Sequence, residues 1–133
     1  MSHEKILRAG LWCAALFNVL GALLFAFPGS SAGQGLGLPA EVPMIYRTFT
    51  GLFVLLFAGA YAWLAANRPV VKPFVVFAAI GKAAAFVAIA SLWAFGYVSG
   101  LVVFIGSGDA VLAAIFVWCL WGMRLPNGPE DLE

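Results

Sequence analysis

Charge is scarce in this chain. Asp, Glu, Lys and Arg together make up 10% of its 133 residues, against 64% for the hydrophobic types. A water-soluble domain carries about a quarter charged residues. With so few, the chain cannot cover its outside with polar groups, and water is not the solvent for most of its surface. The formal net charge of +1 leaves no basic footprint for nucleic acid. Histidine occurs once, as His3 beside the N-terminus, and Asp109 is the one carboxylate within the long apolar runs. Haem, zinc and di-iron centres therefore lack ligands, and no metal or cofactor is expected. Cys13 and Cys119 stand alone in apolar stretches with no Cys-x-x-Cys pair, which removes the usual residues for thiol–disulfide and Fe–S chemistry. Both read as small packing hydrophobes. Gly33, Gly35 and Gly37 are not followed by Gly-Lys-Ser/Thr, so they form no phosphate-binding loop and read as a flexible connection.

What the chain does have is length of hydrocarbon. A helix through a bilayer core needs about 20 predominantly apolar residues, and four segments meet that requirement: about Ile6–Phe27, Met44–Ala66, Pro73–Tyr97 and Leu101–Met123. Pro28-Gly29 closes the first, Asn67-Arg68-Pro69 the second, and Ser99-Gly100 turns the third into the fourth. Residues 28–43 form a loop at one end, and the polar tail 124–133 reads as frayed. The expectation is one all-α domain over 1–133, an integral membrane four-helix bundle.

Lys and Arg near helix ends set orientation. Lys5, Arg8, Arg68, Lys72 and Arg124 fall on the side of the termini, and Arg47 alone on the other. Five against one places both termini in the cytoplasm of a multi-pass protein of the bacterial inner membrane. Trp63, Trp118 and Trp121 near that face and Trp93 near the other match an aromatic belt. A cleaved signal peptide is the rival reading of the first segment, but a run of about 22 apolar residues exceeds the 7–15 of a signal core.

Four polar residues sit where none is needed: Asn18, Arg47, Lys82 and Asp109, one in each segment. A Lys, Arg or Asp at mid-helix costs about 2.5–3.5 kcal/mol on insertion scales, and such residues face the bundle interior and find partners. Counting ~1.5 Å per residue puts Lys82 ~13 Å from the side of the termini and Asp109 ~12 Å from the opposite side. In a core of ~30 Å those levels differ by about 5 Å, within reach of a lysine. Asn18 lies level with Asp109. Arg47, ~5 Å inside the other boundary by the same count, reaches down toward Asp109 or snorkels out to headgroups. Each has small neighbours on its own face, among them the run Gly106-x-x-x-Ala110-x-x-x-Ala114, as helix contacts in membranes require. The four form the candidate binding cluster; no catalytic residue is assigned.

Four helices, Arg47 opening the second, Gly81-Lys82 in the third and Gly108-Asp109 in the fourth together resemble the DoxX-like small bacterial membrane proteins. The resemblance covers nearly the whole chain and implies a four-helix bundle with a redox or accessory role in a larger membrane system. It carries over no catalytic residue. Three functions then compete. The first is a non-enzymatic bundle, either an accessory subunit beside a membrane protein partner or second copy, or a binder of a small apolar or amphipathic molecule or lipid. The second is a proton-coupled transporter using Asp109 and Lys82. The third is a small membrane enzyme acting on a lipid or quinone. With no catalytic motif, the first is favoured.

Overall fold

A computed structural model of the chain describes residues 2–123; Arg124 and the rest of the tail lie outside the described residues. The chain is all-helical: α1 (His3–Ala26), α2 (Ser31–Gly35), α3 (Met44–Ala66), α4 (Lys72–Ala94) and α5 (Gly100–Gly122). Four of them, α1, α3, α4 and α5, are long and apolar enough to cross a membrane. Large apolar side chains point away from the bundle, with Phe104 75% and Trp121 68% exposed. In water this surface would be a severe liability, whereas in lipid it costs nothing, because hydrocarbon is as good a neighbour as another leucine.

The helices associate as two pairs. α1 packs along the length of α3 and α4 along α5; the pairs meet chiefly where α1 touches α5, and α3 barely meets α4. The shared core lies in the half nearest the termini. It is built from Leu7, Leu11, Ala14 and Ala15 of α1, Tyr61, Leu64 and Ala65 of α3, Val75, Ala78 and Ala79 of α4, and Leu112, Phe116, Cys119 and Leu120 of α5. Gly10 lets the fully buried Phe116 ring lie on the α1 backbone, since a Cβ there would stand 3.2 Å from that ring. Beyond Lys82, α4 has no buried residue. The bundle is tight at one end and open at the other.

Cations near the termini do structural work as well as setting charge bias. Arg8 is held by Glu4 (Nη2–Oε1 2.8 Å) and donates to the carbonyls of Ala65 (2.6 Å) and Asn67 (2.7 Å). The last carbonyls of a helix have no partner within it, and a cation there also meets the negative end of the dipole. Arg8 of α1 thus closes the C-terminus of α3. At the other pair, Lys72 donates to the carbonyl of Met123 (3.4 Å), just past α5. His3, which has no companion ligand, packs against Gly122 and lies edge-on to Trp118 with ring centroids 4.8 Å apart.

Two stretches differ from the expectation. The loop 28–43 is not uniformly flexible, because it holds α2. The Ser30 hydroxyl caps it by accepting from the Gly33 amide (3.2 Å), and Gly33 rests directly on Pro28, where a Cβ would overlap backbone. Gly37, at φ 73, ends α2 with paired bonds from Leu38 to Gly33 and from Gly37 to Gln34. The same device stops α4 at Ala94 although the apolar run continues to Tyr97. Gly96 adopts φ 77, Tyr97 bonds back to Leu92 (2.8 Å) and Gly96 to Trp93 (2.9 Å). Hydrophobicity counts residues in the core and is blind to a left-handed glycine that ends the helix.

Candidate functional site: a polar centre between the helix pairs

Three of the four intramembrane polar residues meet. The Lys82 ammonium lies 2.5 Å from Asp109 Oδ1 and 2.6 Å from Asn18 Oδ1. Lys82 is 3% exposed and Asp109 7%, so the pair is removed from its surroundings on nearly every side. Asn18 in turn donates through Nδ2 to the carbonyl of Val54 (3.4 Å). Aromatic rings complete the enclosure: Lys82 Nζ stands 5.1 Å from the centroid of Phe17 and 5.3 Å from that of Tyr61. Rings at these distances attract the cation through their quadrupole, more strongly where water is excluded. Every long helix therefore contributes: α1 an amide and a ring, α3 a ring and a carbonyl, α4 the cation, and α5 the anion.

Local sequence makes this approach possible. Gly108, beside Asp109, seats the Phe17 ring, whose Cε2 would lie 3.3 Å from a Cβ at that position. Gly106 likewise receives Ile89, at 3.0 Å from a would-be Cβ. Small residues thus bring α5 against α1 and α4 at the level of the charges. The stripe from Gly106 to Ala114 serves this purpose only in part: Gly106 is buried, Ala110 half-buried, and Ala114 is exposed along an apolar groove between α4 and α5.

No protein-family model matches the chain, and no curated protein or solved structure does. The chemistry of the centre has to be read from its own residues.

Donor and acceptor capacity is left over. An ammonium carries three protons, and two of those on Lys82 are engaged. Asp109 accepts on Oδ1, and among the described residues nothing donates to its second oxygen. The Tyr61 hydroxyl likewise has no hydrogen-bond partner among the described residues, but it is not itself enclosed: the buried polar atom left without a partner among them is His3 Nδ1.

Arg47 stands apart from the other three. It opens α3 at the far end of the bundle, half-buried in a groove between α1 and α3, and among the described residues its side chain makes no hydrogen bond or ion pair. Tyr61 is the member that sequence reading passed over. It looks like one more aromatic in an apolar helix, and only the register of α3 against α4 places its ring on the ammonium. Of the two cysteines, Cys119 is buried in the core and Cys13 faces outward.

Proposed function

We propose that this chain is a multi-pass protein of the bacterial inner membrane, with both termini in the cytoplasm, that binds a small amphipathic molecule at the Asn18–Lys82–Asp109 centre. A DoxX-like accessory role is compatible with that activity. The observation that carries the reading is a buried Lys–Asp pair with spare hydrogen-bonding groups between two loosely joined helix pairs. A buried ion pair is weak support for stability, since apolar residues of similar volume hold a core as well or better. Intramembrane ionisable residues mark ligand or ion sites by default. The ligand meets the unengaged ammonium proton, the free Asp109 oxygen and the Tyr61 hydroxyl with its polar end, and lies along the exposed far half of α4 with its apolar end.

Mass spectrometry of small molecules that copurify in a mild detergent tests this. Wild-type protein is expected to retain a compound that the double variant Lys82→Met/Asp109→Leu, which keeps an apolar core, does not. The same compounds at the same levels in both would reduce the pair to a structural role. A second reading, proton-coupled transport, is favoured by an acid and an ammonium that meet at mid-depth of the bundle. It requires substrate-dependent proton movement in proteoliposomes that Asp109→Asn abolishes.

A further inference from the structure

The far end of the α1–α3 pair carries a second feature, separate from the polar centre. Between the last turns of α1 and the first turns of α3 runs a groove of about 410 Å³. Its floor is small because Gly51 presses on α1: a Cβ there would stand 3.1 Å from the Ala26 Cβ and 3.2 Å from the Ala22 carbonyl oxygen. Its walls are apolar, Leu23, Leu52 and Leu55 with Val19, Phe27 and Met44, and Arg47 and Thr48 line it as well. Arg47 offers five donors in a planar fork. Among the described residues none is taken, and no carboxylate lies within ion-pair distance, Glu41 of the adjoining loop included. Arg47 is three residues into α3, so ~5 Å from the helix start by the helical rise. From that depth, just inside the hydrocarbon boundary, the long arginine side chain snorkels out to headgroup phosphates. The surrounding helix start helps, since α3 follows its N-cap Pro43 with no side-chain cap and its positive dipole end faces the same way.

From this juxtaposition we propose that the groove is a binding site for one anionic phospholipid of the leaflet at that end of the bundle, its phosphate on Arg47 and an acyl chain lying over Gly51. A cation without a protein partner calls for an anion, and an apolar channel leading from it into the membrane calls for hydrocarbon. A phospholipid supplies both in one molecule. A free phosphate would leave the groove empty. Arg–phosphate pairing is bidentate and charge-assisted, which a lysine at the same place would not reproduce.

The test is native mass spectrometry of detergent-purified protein titrated with phosphatidylglycerol, with phosphatidylcholine and glycerol 3-phosphate as comparison probes. One phosphatidylglycerol per chain is expected to survive activation, with phosphatidylcholine held less well and glycerol 3-phosphate not at all. Arg47→Gln should weaken the lipid about tenfold or more, as loss of a charged hydrogen-bonding partner does. Thr48→Trp, which fills the groove and keeps the charge, should weaken it too. Arg68→Gln, an exposed cation at the opposite end, should change nothing. The proposal is overturned if wild type retains no phosphatidylglycerol, if Arg47→Gln binds as wild type, or if Arg68→Gln loses as much. Glycerol 3-phosphate binding as well as the lipid, or Thr48→Trp binding undiminished, would equally overturn it, because the chain would then play no part.

Discussion

Cutting Lys82 to Met leaves the Asp109 carboxylate enclosed without its counter-ion, since the pair stands 2.5 Å apart at 3% and 10% side-chain exposure. Breaking a buried pair from one side costs about 3–5 kcal/mol, mostly the penalty of the charge left behind. Asp109→Leu strands the ammonium in the same way and should cost as much. The double variant removes both charges and fills the space with apolar atoms, so the two losses should not add; replacement of a buried pair by hydrophobes is often neutral or stabilising by about 1–4 kcal/mol. A coupling of several kcal/mol between the two sites is therefore expected. Asn18→Leu keeps both charges in place and removes an amide that accepts from the ammonium and donates to the Val54 carbonyl. Interhelical hydrogen bonds in membranes average about 0.6 kcal/mol and reach about 1.7, so this variant should fall well short of either charge deletion. Equilibrium unfolding in mixed detergent micelles with increasing denaturing surfactant measures the four variants beside wild type. If the single variants unfold with wild type, or if the double variant loses the sum of the two singles, the pair is not the enclosed, mutually dependent unit described here.

Two further changes probe what positions the centre. Arg8→Gln removes the cation from the end of α3 and leaves two carbonyls with a weaker partner at best. Charged hydrogen bonds and the helix-terminus charge together suggest a loss of about 1–3 kcal/mol, read as a lower surfactant midpoint and faster exchange of amides around Asn67. Gly108→Leu places a branched side chain where the Phe17 ring sits at 3.3 Å from a would-be Cβ. Overpacking of this kind costs about 1–3 kcal/mol, and because Phe17 also faces the ammonium, the Lys82–Asp109 coupling should shrink in the same background.

The number of long helices and their approximate spans were legible because hydrophobic length is a property of composition. Asn18, Lys82 and Asp109 were legible for a related reason: a polar residue in an apolar run stands out, and counting the helical rise brought the three to nearly one level. What escaped depended on rotation and on single φ angles. Whether Tyr61 faces lipid or Lys82 is a matter of how α3 is turned, which 23 residues of nearly uniform hydrophobicity do not encode in their periodicity. Gly37 and Gly96 end their helices through a backbone conformation that no hydropathy sum registers. Arg8 and Lys72 were counted as topology signals by charge alone, and that count cannot see that each also closes the end of a neighbouring helix.

The uneven packing has a physical consequence for the centre. On the side of the termini, Leu7, Leu11, Val75, Phe116 and Cys119 are fully buried beneath it, with Arg8 and Lys72 bridging helix ends beyond them. Interiors packed to that density yield little, because moving one side chain displaces its neighbours. On the other side, α4 past Lys82 buries nothing, and the α1–α3 and α4–α5 pairs share few contacts. Separation of the pairs on that side breaks little apolar packing, whereas separation on the side of the termini would open the whole core. The contacts that resist it at mid-depth are those of the centre itself, Asn18 to Lys82 across the pairs and Phe17 over Gly108.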